Sequence, residues 1–131
     1  MDDEPATLEP ARAIRNHDAL AASGLLVLGG IAAFGAFAST ASDAPLFLLF
    51  AAAHLVAAVG VAFRKGWARI AGLVLTALWL LTQVVVALSI LLSFVAPAAV
   101  VGVTPFTVGI TVLFTALAGG TFVLLLRQRT S

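Results

Sequence analysis

The sequence predicts an all-α membrane protein with four transmembrane helices in an antiparallel bundle. Of its 131 residues, 62% are hydrophobic and 10% are charged, a balance well outside that of water-soluble domains. The hydrophobic residues fall in four charge-free runs, each close to the ~20 residues that a helix needs to cross ~30 Å of hydrocarbon. These runs are 19–39, 46–63, 70–95 and 106–126.

Residues 1–18 are predicted to form a polar cytoplasmic leader, and residues 19–131 the transmembrane domain. The leader contains five of the six carboxylates of the chain. This composition is typical of a solvated tail, and its acids and His17 match no familiar metal-site spacing. Asp18, at the end of the leader, is a candidate N-cap for the first helix.

The first run has a competing interpretation as a cleaved signal peptide. The sequence AFAS at Ala36–Ser39 resembles a signal-peptidase site after an apolar stretch. An acid-rich leader is atypical of signal peptides, whose first region is positively charged. The run is therefore interpreted as a retained span.

Proline and glycine positions agree with the remaining three helices. Asp43 and Pro45 are typical of an N-cap and a first-turn proline, as are Thr104 and Pro105 at the fourth run. Gly66 is predicted to end the second helix in a left-handed cap. The third run is the longest, so its helix is expected to tilt or to project beyond the bilayer.

The positive charges predict how the helices are oriented. All seven Lys and Arg residues lie before the first run, between the second and third, or after the fourth. Because cytoplasmic segments retain Lys and Arg, both termini are expected in the cytoplasm and the protein in the inner (plasma) membrane. The seven are Arg12, Arg15, Arg64, Lys65, Arg69, Arg127 and Arg129.

The turn between the second and third runs reads FRKGWARIAG from Phe63 to Gly72. At Arg64, Lys65, Gly66 and residues 67–69, it resembles small four-helix membrane proteins of high-GC bacteria, which often carry a basic residue, Gly and Trp-Ala-Arg here. The resemblance covers this turn and its two flanking helices. It implies topology alone, because that group has no assigned activity.

The same turn is a candidate anchor or anion site. Arg64, Lys65 and Arg69 would interact with anionic lipids at the cytoplasmic face, and Trp67 would lie in the headgroup region. Arg69 lies near the start of the third helix, where free N–H groups attract a lipid phosphate. Three cations with one Trp are too few for a nucleic-acid surface.

His54 and Gln83 are the side chains with the strongest hydrogen-bonding demands inside the runs and form a candidate intramembrane polar pair. Folding about Gly66 places His54 level with Trp79, with Gln83, Thr82 or Thr76 as its candidate partners. Haem ligation would need a second membrane His, and a proton relay would need ionisable neighbours. A hydrogen bond to a quinone is a third alternative. The expected role is a structural hydrogen bond, without a cofactor.

Small residues recur on two helices, where they allow close approach of another helix. They predict either packing inside the bundle or a face for a partner. The uncharged segment 93–106 would then lie in the interface or be covered by that partner. The small residues are Gly29, Ala33 and Ala36 in the first helix, and Thr111, Thr115 and Gly119 in the fourth.

No residue set identifies a reaction. The chain has no Cys, and neither a nucleophile with its base nor a carboxylate pair lies at either interface. We therefore expect a non-catalytic accessory or assembly subunit of a larger membrane complex, in contact with another membrane protein or with its own copies. The alternative is a small oligomeric carrier or pore, although membrane carboxylates and internal repeats, which are common in transporters, are missing.

Overall fold

Four long helices make up the fold seen in the computed structural model, which describes residues 8–38, 41–96 and 104–128, with side chains from residue 15. Each helix contains a segment long and apolar enough to cross a membrane. The prediction of an all-helical chain with four candidate spans is therefore confirmed. The helices are α1 Leu8–Ala38, α2 Ala44–Ala62, α3 Gly66–Val95 and α4 Pro105–Arg127.

Two helices extend beyond their apolar runs. α1 begins at Leu8, so the polar sequence up to Asp18 continues directly into the hydrophobic segment. Pro10 is tolerated because it lies in the first turn, where its missing N–H has no helical partner to lose. α3 has 30 residues, about 45 Å at ~1.5 Å per residue, and so exceeds a hydrocarbon layer of ~30 Å.

The helix ends confirm the predicted N-cap positions of α2 and α4 and correct that of α1. Thr104 accepts a hydrogen bond from the Thr107 N–H at 3.2 Å, as expected of an N-cap. Asp43 occupies the N-cap position of α2 without a side-chain capping bond. Asp18 lies inside α1 rather than at its start, so its predicted capping role is wrong.

The turn between α2 and α3 also differs from the prediction, because Arg64 rather than Gly66 adopts the left-handed conformation, with φ 55°. The N–H of Lys65 bonds to the Gly60 carbonyl and that of Arg64 to the Val61 carbonyl, both at 2.9 Å. This pair of bonds is the Schellman motif. Gly66 instead begins α3.

The helices contact one another in a ring, α1 with α2, α2 with α3, α3 with α4 and α4 with α1. The buried positions repeat at the three- and four-residue spacing of a helix face. In α2 they include His54, Ala57, Ala58 and Val61, in α3 Ala68, Gly72, Thr76 and Gln83, and in α4 Ala118, Thr121 and Leu125.

Small residues bring the helices close together in one region, here called the packed core. A methyl group on Gly60 would overlap the Ala68 side chain, and one on Gly24 would overlap Thr121. Glycine at such contacts lets backbones approach where no hydrophobic effect drives association in lipid. The packed core consists of Ala21, Ala22, Leu25, Ala57, Ala58, Val61, Ala68 and Leu125.

Away from the packed core, α3 and α4 each contain a long stretch without a buried residue. Residues 84–95 and 105–117, here called the open segments, include no buried residue. The first two helices remain in contact further along, since Ala32 and Ala36 are buried and a methyl group on Gly35 would lie 3.2 Å from the Phe47 ring. The bundle is therefore packed unevenly along its length.

Candidate functional site

Polar side chains from three parts of the chain meet at one end of the packed core. Arg64 Nε donates to Asp18 Oδ2 at 2.7 Å, and Gln128 Nε2 donates to Asp18 Oδ1 at 2.8 Å. The Asp18 side chain is 13% exposed and that of Arg64 58%. Asp18 thus joins α1 to the α2–α3 turn and to the end of α4. No local sequence pattern pointed to this role; the predicted topology alone placed Asp18 at the same end of the bundle as the cations of the α2–α3 turn.

Arg69 forms a second link at this end of the bundle. Its Nε donates to the Leu125 carbonyl oxygen at 2.8 Å. That carbonyl belongs to the last turn of α4, where carbonyl groups have no partner within the helix. Arg69 therefore satisfies an acceptor at the end of α4 and fixes α3 beside it.

These contacts border a pocket of about 350 Å³, here called the basic pocket. Three of its lining side chains are cations and one is a carboxylate. The structure therefore brings together Arg64, Lys65 and Arg69, whereas Trp67 does not line the pocket. The lining residues are Asp18, Val61, Arg64, Lys65, Gly66, Arg69 and Gln128.

Trp67, grouped with the three cations in the sequence, lies against α2 instead. Carbon atoms of its six-membered ring would lie 3.2 Å from a methyl group placed on Gly60. The side chain remains 55% exposed. Trp67 therefore stays a candidate interface anchor, on a different side of the turn from the basic pocket.

The intramembrane site is centred on His54, which is fully buried. Trp79 Nε1 donates to His54 Nε2 at 3.1 Å, and His54 Nδ1 lies 2.7 Å from the Phe50 carbonyl oxygen. Because the indole N–H can only donate, Nε2 must accept. The hydrogen therefore lies on Nδ1 and is donated to Phe50, so the imidazole is neutral with both nitrogens bonded.

The partner of His54 differs from the three candidates predicted for it. Thr76 donates to the Gly72 carbonyl at 2.8 Å and Thr82 to the Leu78 carbonyl at 3.0 Å, so both hydroxyls bond within α3. Gln83 lies one turn beyond Trp79, is 7% exposed, and forms no hydrogen bond with His54. His54 therefore bonds to Trp79 rather than to Gln83. The sequence places Trp79 level with His54, but its indole was not among the predicted partners.

Aromatic rings flank this hydrogen bond on both residues. The rings of Phe50 and His54 lie 4.6 Å apart in an edge-to-face arrangement, and Trp79 lies 6.3 Å from Phe114. The cluster joins α2, α3 and α4. A metal or haem iron at His54 would have to displace one of its two hydrogen bonds, and the described residues include no group of three His, Asp or Glu side chains able to hold a metal.

The small residues of α1 and α4 have different surroundings. A methyl group on Gly29 would lie 2.9 Å from His54 Cβ, and Ala36 is buried, so both pack inside the bundle. Ala33 lines a shallow apolar groove of about 330 Å³ between α1 and α2. In contrast, a methyl group on Gly119 would meet nothing within 4 Å.

The threonines predicted to share a face with Gly119 bond within α4. Thr111 donates to the Thr107 carbonyl and Thr115 to the Thr111 carbonyl, each at 2.8 Å. Thr111 is partly buried and Thr115 exposed. Arg129 and residues 97–103, the middle half of the uncharged segment 93–106, lie outside the described residues.

No family model matches the chain, and neither a curated protein nor a solved structure is significantly similar to it. Function is therefore inferred from the residues of the chain itself.

Proposed function

We propose that the protein is a non-catalytic accessory or assembly subunit that binds another membrane protein through helix–helix contacts. One observation carries this proposal: leaving aside Gly66 at the start of α3, the helical glycines of the described residues fall into two groups, with Gly35, whose added methyl group would lie 3.2 Å from the Phe47 ring, in the first. Gly24, Gly29, Gly60 and Gly72 each approach a neighbouring helix closely, whereas Gly30, Gly109, Gly119 and Gly120 would meet nothing within 4 Å if a methyl group were added.

The second group of glycines has no function in packing the bundle. Gly is less favourable than Ala in a helix interior by ~1 kcal/mol, so a glycine that packs against nothing weakens its helix without a compensating contact. In membrane proteins, a surface glycine allows a helix from another chain to approach closely. Three of the four lie in α4, which makes α4 the preferred partner face.

Enlarging an outward glycine tests the proposal. Gly119→Leu and Gly120→Leu should remove a stoichiometric partner that co-purifies in mild detergent, because inserted side chains prevent close approach. Thermal unfolding of the purified bundle should be unchanged. Gly24→Leu, which overlaps Thr121, should instead unfold the bundle, and Val74→Leu, on an exposed position of α3, should alter neither property.

Retention of every co-purifying protein by Gly119→Leu, Gly120→Leu and the corresponding α1 variant Gly30→Leu would reject the proposal. Purification of the wild type alone from native membranes would reject it too. Loss of a partner only when the bundle unfolds would indicate that the outward glycines are not the contact.

The proposed subunit is an antiparallel bundle in the inner membrane with both termini in the cytoplasm. The positive-inside rule supports the cytoplasmic side, and the meeting of Asp18, Arg64 and Gln128 at one end supports the antiparallel arrangement. Both Ser42 and Lys65 are exposed. Cysteine introduced at Ser42 should therefore be labelled by an impermeant reagent in intact cells, and cysteine at Lys65 only after permeabilisation. The reverse pattern would invert the topology.

A small oligomeric carrier or pore is the second candidate function, and Gln83 favours it. Gln83 is 7% exposed and makes no hydrogen bond to another side chain among the described residues, and it lies where the open segment of α3 begins. No buried side-chain nitrogen or oxygen of the described residues lacks a partner, so the Gln83 amide reaches the surface of the bundle. An amide without a partner there is costly in hydrocarbon, and a polar substrate would satisfy it. A homogeneous oligomer whose transport in liposomes is lost in Gln83→Leu would favour this alternative.

A further inference from the structure

We propose that the basic pocket binds a phosphate group, carried either by the headgroup of an anionic phospholipid or by a soluble phosphate ester. The proposal is independent of the helix-contact function, because it concerns the polar end of the bundle rather than the faces of α1 and α4. It rests on the charge of the pocket, on how its side chains are fixed, and on its position.

The lining of the pocket has an excess of positive charge. Arg64, Lys65 and Arg69 contribute three positive charges and Asp18 one negative charge, which leaves +2. Both oxygens of Asp18 already accept hydrogen bonds, from Arg64 and from Gln128. The Asp18 carboxylate is therefore occupied by contacts within the protein. The net positive charge of the pocket remains available to an anion.

The two arginines are held in place by bonds that leave donors unused. Arg64 bonds through Nε to Asp18, and Arg69 bonds through Nε to the Leu125 carbonyl. No other side-chain hydrogen bond of either arginine is formed with the residues that the structure describes. A guanidinium has five N–H donors, so the terminal nitrogens of both arginines remain available for phosphate oxygens. Two N–H groups of one guanidinium can bind two oxygens of the same phosphate, which is the bidentate geometry favoured by arginine.

The backbone adds donors to the same wall. Gly66 lines the pocket and is the first residue of α3. In the described part of the chain, the Ala68 N–H bonds to the Lys65 carbonyl, whereas the N–H groups of Gly66 and Trp67 have no backbone acceptor. A methyl group on Gly66 would meet nothing within 4 Å, so the backbone is open to a ligand. The first turn of a helix attracts anions through these groups and its dipole.

The pocket lies where phospholipid phosphates are found. It is at the end of four apolar helices, on the turn that also carries the exposed Trp67, which would mark the headgroup region. Anionic lipids attract each nearby cation in this region. A volume of about 350 Å³ is within the range of pockets that hold small ligands, ~300–1,000 Å³.

Native mass spectrometry of the full chain in detergent tests the proposal, with phosphatidylglycerol and phosphatidylcholine offered in equal amounts. One phosphatidylglycerol molecule should bind in preference. Lys65→Gln should weaken it about five-fold, the loss of one cation at a lipid surface, and Lys65→Arg should restore it. The control Arg15→Gln removes an exposed cation at the same end that does not line the pocket and should have no effect.

Competition distinguishes the two sources of phosphate. If glycerol 3-phosphate or inorganic phosphate displaces the lipid at millimolar concentration, the pocket binds phosphate as such and a soluble ligand is the assignment. If neither competes, the lipid is the ligand. Equal binding of the two lipids together with no binding of soluble phosphate, or equal weakening by Lys65→Gln and Arg15→Gln, would overturn the proposal. Lys65→Gln keeps both arginine links, so misfolding does not confound the result.

Discussion

The packed core and the open segments are both mainly apolar but are built from different side chains. Six of the eight residues of the packed core are Ala or Val, and Gly24, Gly60 and Gly72 lie in close contact around them. The open segments instead expose large side chains such as Leu88, at 54%. Lipid solvates Leu as well as a protein interior does, so size and fit determine where the helices pack.

The largest expected effect on stability comes from creating a cavity in the packed core. Leu125 is fully buried, and its side chain lies beside Gly72. Leu125→Ala should lower the free energy of unfolding by about 2 kcal/mol, the lower end of the range for buried leucines, because lipid also solvates the unfolded side chain. Denaturant titration in mixed micelles measures the change.

The adjacent residue provides a control for this comparison. Leu126 is 43% exposed on the same turn of α4. Leu126→Ala should therefore lower the free energy of unfolding by well under half as much as Leu125→Ala does. Equal losses for the two variants would show that the packed core is not the stabilising region, and the distinction between the two parts of the bundle would fail.

The next largest effect is expected at the boundary between the two regions, where Trp79 donates to His54. His54→Phe should destabilise the bundle by about 1 kcal/mol, because it removes the acceptor and leaves the indole N–H unpaired. Trp79→Phe removes the donor, and the double variant should cost less than the sum of the two. Additive losses, measured by the same titration, would show that the hydrogen bond contributes nothing.

Much of the fold could be predicted from hydropathy, for a physical reason. A charge-free run of about 20 residues is expected to be helical in lipid, since a helix satisfies its backbone within one segment and a barrel strand would need only about 9–11 residues. Hydropathy indicates where the chain enters the hydrocarbon layer, but not where the helix begins. It therefore missed the polar start of α1 at Leu8. It also could not distinguish the packed core from the open segments.

The site was less predictable because its contacts join distant residues. Asp18 meets Arg64 and Gln128 across 46 and 110 positions of the chain, and no local pattern encodes that. The left-handed conformation was assigned to Gly66 instead of Arg64 because glycine is the usual residue at a helix C-terminus. Arg64 takes that conformation, which is disfavoured for residues with a side chain, and from it reaches Asp18.

A smaller effect is expected from this ion pair at the polar end of the packed core. Arg64 is 58% exposed, so solvent screens the pair, and Asp18→Asn should cost about 0.5 kcal/mol. The loss should shrink at high salt, where screening is stronger. A double-mutant cycle with Arg64→Gln isolates the pair. A cost of several kcal/mol that salt does not alter would instead make Asp18 a buried structural residue.

The smallest effect is expected in the open segments, where it also bears on function. Leu91 is 61% exposed in the second half of α3, so in the isolated bundle Leu91→Ala only exchanges one lipid contact for another, and the free energy of unfolding should change by less than ~0.5 kcal/mol. If a partner covers this segment in native membranes, the same substitution removes packed atoms and should lower the fraction of protein that co-purifies with it. A destabilisation above 1 kcal/mol in the isolated bundle would contradict the uneven packing. An unchanged bundle with weakened partner binding would extend the contact surface from α4 to α3, because only a surface completed by another chain makes an exposed leucine matter.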